Sequence, residues 1–248
     1  MRSLRAQFET QRASVLSKLE TVPMPTKGYK RKDWLDDVVD WDEFDAAMAR
    51  VLAPILLGVV AEFGRLSMEQ VNLDPSLFNA FNQSVQEYYN TRSTKVAADI
   101  NDETEKQLRA ALSQGIQAGE TSYELRARIE QVFGAALTYR ADRIARTEVT
   151  RAQAFADIEG WRQSDVVEAK EWHTAQDEMR CVYCADLHGR VVALTANYFD
   201  KGTSQIVETT GKDGKPRVMT QVHDYDDVIG PPAHANCRCV LLPVLKDI

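Results

Sequence analysis

The sequence predicts an α+β protein, with a mainly helical N-terminal part followed by a small α+β C-terminal domain. Three observations carry that reading. Apolar residues recur at helical spacing through the first two-thirds of the chain. β-Branched runs separated by turns begin near Val166. All four cysteines fall inside that last segment.

Taken in order, Leu4, Phe8, Val15 and Leu19 mark a first amphipathic helix, and the proline- and glycine-containing TVPMPTKGYKRKD reads as a linker. Trp41, Phe44, Met48, Val51, Ile55 and Val59 continue at helical spacing. Pro54 should kink or divide that helix, because it lacks a backbone donor and clashes with the preceding turn. Asp74-Pro75-Ser76 suits a helix start, with Phe78, Phe81, Val85 and Tyr88 as its buried stripe. Asn101 or Asp102 is the expected cap of the next helix, which carries Leu108, Leu112 and Ile116 and stops at Gly119. Thr121 or Ser122 opens a short helix with Leu125, Ile129 and Phe133, and a long one spans about Thr138 to Trp161. Strands are expected at Arg190–Leu194, Gln205–Thr209, Arg217–Val222 and Arg238–Val244. Gly211-Lys-Asp-Gly214 supplies a hairpin turn between the middle two.

A 44% hydrophobic, 27% charged composition is that of a globular chain able to bury a core. The net charge of −7 argues against a protein that wraps nucleic acid over its whole surface. Charge is uneven, however. Eight basic residues face two acidic ones up to residue 32, and Asp33, Asp36, Asp37, Asp40, Asp42, Glu43 and Asp45 then reverse the sign. Such blocks are solvated faces or interaction arms, and a basic arm can contact DNA without sequence preference. The most apolar stretch, Val51 to Ala61, is shorter than the roughly 20 residues that span a bilayer, so no membrane is expected. No apolar region follows MRSLRAQFET, which places folding in a cytoplasm where thiols stay reduced.

Cys181-Val-Tyr-Cys184 forms one cysteine pair, and His234-Ala-Asn-Cys237-Arg-Cys239 holds another behind a histidine. A C-x-x-C turn presents two thiolates to one tetrahedral ion, and a distant second pair closes the site. Cys181, Cys184, His234, Cys237 and Cys239 are therefore candidate ligands of a structural zinc, held by four cysteines or by three and the histidine. Soft donors favour zinc, and a thin core would gain folding energy from it. Ordinary buried thiols, a redox pair outside any βαβ setting and two disulfides formed after release from the cell are the other readings.

The motifs run Arg143-Ile-Ala-Arg146-Thr147-Glu148, then Glu171-Trp172-His173-Thr174-Ala175 with Asp177, then Cys181-Val-Tyr-Cys184 with Leu187-His188-Gly189, then Pro231-Pro-Ala-His234-Ala-Asn-Cys237-Arg-Cys239. This succession resembles the phage Mu F-like minor head protein family. The likeness covers roughly residues 100 to 245. It implies residues 1–100 as a helical extension and portal-interacting region, and 101–248 as the head morphogenesis domain. It further implies a low-copy virion protein, inside the capsid or at the portal vertex, acting in head assembly, DNA packaging or DNA delivery. The partners implied are the portal protein and capsid or scaffold proteins.

Arg146, Thr147, Glu148, Trp172 and Asp177 are read as structural or interaction residues. Glu148 and Arg151 share a helix face with Ile144, Phe155 and Ile158, which suits a domain-locking ion pair. No catalytic residue is assigned. The enzyme alternative is a nuclease or nucleotide-transferring toxin using Glu148, His173 and Asp177, with a histidine base beside an acid. No G-x-S-x-G, P-loop or H-E-x-x-H supports it, and His188 and His223 stand in no constellation.

Overall fold

A computed structural model describes residues 2–18, 31–211 and 213–247. Leu19, Lys27, Lys30 and residues 21–30 of the expected linker lie outside the described residues. The chain forms two compact units, residues 1–55 with 86–145, and residues 56–85 with 146–248. The boundary expected at residue 100 falls inside a helix, Gln83–Ala118.

The first unit is helical. Helices α1 (Arg2–Lys18) and α2 (Arg31–Val38) precede α3 (Trp41–Gln70), which continues into the second unit. Arg31 to Asp33, the end of the expected linker, open α2. Pro54 lies within α3 and does not divide it. Its side chain is exposed, so the lost hydrogen bond falls on the solvent side, while Met48, Leu52, Leu56 and Val60 anchor the opposite stripe. The apolar stretch is thus part of a 30-residue helix. By length and composition α3 could cross a membrane, with mean hydropathy 1.8 over its most apolar window and 28% of that window buried.

One helix, α4 (Gln83–Ala118), runs straight through the expected cap at Asn101. Asn101 sits buried in mid-helix, accepting from Gln11 Nε2 at 3.0 Å and donating to Asp45 Oδ1 at 2.7 Å. Tertiary partners have taken the side chain that would otherwise cap. Gly119 ends α4 with φ of +75°, a conformation glycine adopts without strain. Thr121 then caps α5 (Ser122–Ala135) in a reciprocal capping box with Glu124. Leu108, Leu112, Leu125, Ile129 and Phe133 form one core with Val15 and Leu35. Leu4, Phe8, Met48, Leu52, Val96 and Ile100 form another.

A π-helical turn, Ala136–Arg140, leads into α6 (Ala141–Ser164). Arg140 is buried there, donating to Ile100 O at 3.2 Å and Thr104 Oγ1 at 3.3 Å, and burial lowers its pKa.

In the second unit Asp74 caps a single 3-10 turn, Pro75–Leu77, rather than the expected long helix. Phe78 and Val85 are buried, but Phe81 is 75% exposed. The helical stripe breaks because α4 begins only at Gln83. A Cβ on Gly64 would stand 2.2 Å from the Phe78 ring, and one on Gly160 only 1.8 Å from Ser67 Oγ, so both glycines are required for close packing.

Strand β1 (Val167–His173) is central in an antiparallel sheet of order β2-β1-β5, with β2 (Val191–Ala193) and β5 (Val240–Leu245). Between β1 and β2 lies a short helix, α7 (Val182–Leu187). Strands β3 (Ser204–Thr210) and β4 (Pro216–Val222) form a separate hairpin closed through Gly211 and Gly214. The core gathers Ala154, Ile158 and Trp161 of α6 with Trp172, Leu187, Tyr198 and Leu241.

Lys170 and Asp157 are among the buried titratable groups of this unit. Lys170 of β1 donates to Leu194 O and, at 2.8 Å, to Ala196 O, and burial pulls its pKa down to about 8. Asp157 of α6 is only 2% exposed, and burial pushes its carboxyl up to about 8. An unfolded aspartate titrates near about 3.9. Below that value both states hold the proton and the contribution of Asp157 to stability is complete. As pH rises toward 8 the unfolded state ionises first, and that contribution is lost. Asp157→Asn is therefore expected to raise stability at pH 8 by on the order of 2 kcal/mol, and to leave it nearly unchanged near pH 4. Urea unfolding at both pH values measures this, and an equal effect at both would remove the ionisation argument.

Candidate metal centre

Two turns supply the soft donors. Cys181 caps the N-terminus of α7, its Sγ accepting from Cys184 N at 3.3 Å. The C-x-x-C spacing thus puts two sulfurs on one turn of chain. The opposite segment follows Pro231-Pro232, and Asn236 within it adopts φ of +61°, an αL conformation that asparagine tolerates. Cys184, Cys237 and Cys239 are buried, Cys181 and His234 partly so, and all four cysteines are free thiols.

The structure brings all five candidates together around Cys184. Cys181 Sγ and Cys184 Sγ lie 3.0 and 3.1 Å from His234 Nε2, and Cys184 Sγ lies 3.8 Å from Cys237 Sγ. Cys181, Cys184 and His234 form one set close enough to share an ion, and Cys184, Cys237 and Cys239 form a second. With metal–sulfur bonds of about 2.3 Å, a tetrahedral edge between sulfurs is about 3.8 Å, so the sulfur spacing fits. The two sulfur–imidazole separations are those of hydrogen bonds.

Crowding redistributes the protons of this cluster. Hydrogen bonds from Cys184, then from His234, pull the Cys181 thiol down to about 4. Contacts with Cys184 and Cys237 likewise lower Cys239. Cys184, ringed by Cys181, Cys237 and Cys239, is driven up. His234 is raised by Cys181. Four neighbouring thiols cannot all ionise without a compensating cation, and a bound dication provides one. The cluster can therefore hold a metal ion.

Helix α6 holds the second turn in place. Thr147 Oγ1 accepts from Asn236 N at 3.3 Å, and Thr150 Oγ1 donates to Cys237 O at 3.5 Å. Arg238 grips Asp177 with two parallel hydrogen bonds of 2.7 Å, tying the approach to Cys181 to the Cys237–Cys239 turn. That pair keeps the Asp177 carboxyl below its usual range. Trp172 is fully buried on β1, with its ring edge-on to Tyr198 at 5.0 Å.

A family model described as phage Mu protein F like protein matches residues 106–242. The chain belongs to that family. No curated protein and no solved structure matches it. The matched stretch contains all five candidate donors, and membership points to phage head morphogenesis.

The remaining residues read from sequence each have their own contacts in this Mu F-like chain. Glu148 pairs with Arg151 at 4.0 Å, both largely buried, while Arg146 is exposed. His173 packs its ring against His188 at 4.7 Å. Glu148, His173 and Asp177 thus engage Arg151, His188 and Arg238 respectively. Sequence reasoning missed Thr150, whose three-residue spacing from Thr147 on one helix was the available signal. It also missed Lys170, which no pattern distinguishes from a solvent-facing strand lysine.

Proposed function

We propose that this protein is a minor head protein of a tailed phage. It resides in the virion at low copy, inside the capsid or at the portal vertex, and acts in head assembly, DNA packaging or DNA delivery. The family match across residues 106–242, with the whole donor cluster inside it, carries this reading. Its partners are the portal protein and capsid or scaffold proteins, with non-specific DNA contact through the basic N-terminal arm. The ion is zinc, because four thiols and one imidazole are a soft donor set. Four of the five donors suffice for a closed structural site. The zinc supplies folding energy to the second unit, while Arg238, Asp177, Thr147 and Thr150 orient the turns that bear its ligands.

Quantitative mass spectrometry of purified particles tests the placement. A few to about a dozen copies per particle are expected, as for a component of a closed ring. Absence from both mature particles and assembly intermediates would overturn it.

A further inference from the structure

A cleft of about 270 Å³ lies beside the metal centre, between the end of β4 and the turn that begins at Pro231. Arg151, His223, Asp224, Tyr225, Asp226 and Asp227 line it. Among the described residues the lining holds three carboxylates within four consecutive positions and one permanent cation, Arg151, a net negative formal charge. One Asp227 oxygen accepts from Lys201 N at 2.7 Å.

Two side chains give this acidic lining a second character. His223 is 96% buried, stacked on Phe199 with ring centroids 4.4 Å apart, and its Nε2 has no hydrogen-bond partner. Burial lowers the pKa of this histidine, which favours a neutral ring. Arg151 lies over the Tyr225 ring at 5.7 Å. Its Nε is buried without a hydrogen-bond partner, since Glu148 at 4.0 Å is beyond bonding range. A buried polar group left unmatched is costly, so these two nitrogens call for partners.

An anion would satisfy Arg151 but would meet three carboxylates. A divalent cation is poorly served, because the described groups close enough to share an ion are those of the cysteine–histidine cluster. A polyamine would satisfy the carboxylates but offers Arg151 no acceptor. A peptide bearing a basic side chain supplies both a cation and a carbonyl oxygen.

We propose that this cleft binds a basic segment of a partner polypeptide. A lysine or arginine side chain sits among Asp224, Asp226 and Asp227 and donates to His223 Nε2, while a backbone carbonyl of the same segment accepts from Arg151.

The test titrates the full chain with the capped peptide Gly-Lys-Gly-Arg-Gly, with spermidine, and with the capped peptide Gly-Glu-Gly-Glu-Gly, by calorimetry and by His223 ring shifts. The basic peptide should bind saturably and perturb His223. Its affinity should fall about tenfold in the double variant Asp224→Asn/Asp226→Asn, and should fall between about 50 and 500 mM salt. Spermidine should bind more weakly and the acidic peptide should not bind. Four results would overturn the proposal: no saturable binding of the basic peptide, unchanged affinity in the double variant, spermidine binding as tightly as the peptide, or preference for the acidic peptide. His234 also lines the cleft, so metal content is measured in every sample. Retained metal with weakened peptide binding in the double variant is the expected pairing, and it separates this site from the zinc reading.

Discussion

Cys184→Ser is expected to empty the metal centre and unfold the second unit at a temperature where the first unit remains helical. Cys184 is 3% exposed and belongs to both sets of donors that can share an ion. Hydrogen bonds link it to Cys181, Cys237 and Cys239, and His234 Nε2 lies 3.1 Å away. Any single loss leaves four donors, but Cys184 alone belongs to both sets close enough to share an ion, so loss of a peripheral donor leaves one set intact. Loss of the central one leaves the two turns without a common ligand. Structural zinc contributes roughly 10–16 kcal/mol in small metal-dependent peptides, so losing even part of that binding costs several kcal/mol in a unit of marginal stability. Native mass spectrometry with thermal unfolding gives the readout. Full metal stoichiometry with an unchanged melting temperature would remove Cys184 from the ligand set. Cys181→Ser, at a partly exposed position, should show the milder loss.

Trp172→Ala should destabilise the second unit by about 3–5 kcal/mol, by a different route. Trp172 is fully buried on the central strand, opposite Leu241 in the ladder and edge-on to Tyr198. Truncation removes the edge-on contact with Tyr198 and opens a cavity that a three-stranded sheet cannot easily close. All five metal donors remain, so stoichiometric binding should persist with the cost appearing in denaturant midpoint. A loss under about 1 kcal/mol would show that the site relaxes freely and that the ring does not brace the sheet.

What could be read in the sequence depended on how local its cause was. Thr121 with Glu124, Gly119, and the paired glycines of the β3–β4 turn act within a few residues, and each marks its boundary where expected. The strands β2 to β5 were visible as β-branched runs, whereas β1 carries Glu168, Lys170 and Glu171 and shows no clean alternation. Its identity is set by neighbours on both sides. Asn101 failed as a cap because tertiary partners, Gln11 and Asp45, take its side chain in mid-helix, and Phe81 failed as a core residue because α4 begins only at Gln83, where Asn82 Oδ1 accepts from Val85 N. The cysteine motif was legible because ligand chemistry restricts spacing. The turn-holding contacts of Thr147, Thr150 and Arg238 were not, since each reaches a partner more than sixty positions away.

The placement of the donors on two turns so far apart has a consequence for chain length. Cys184 and His234 are fifty residues apart, and a shared ion would cross-link them much as a disulfide does, by restricting the unfolded chain. The entropy of closing such a loop grows only logarithmically, so doubling its length costs about 0.6 kcal/mol. The segment inside the loop, with the β3–β4 hairpin at its middle, is therefore free to lengthen or shorten at little thermodynamic cost. The few residues within each donor turn have no such latitude, because one insertion there moves a sulfur out of reach.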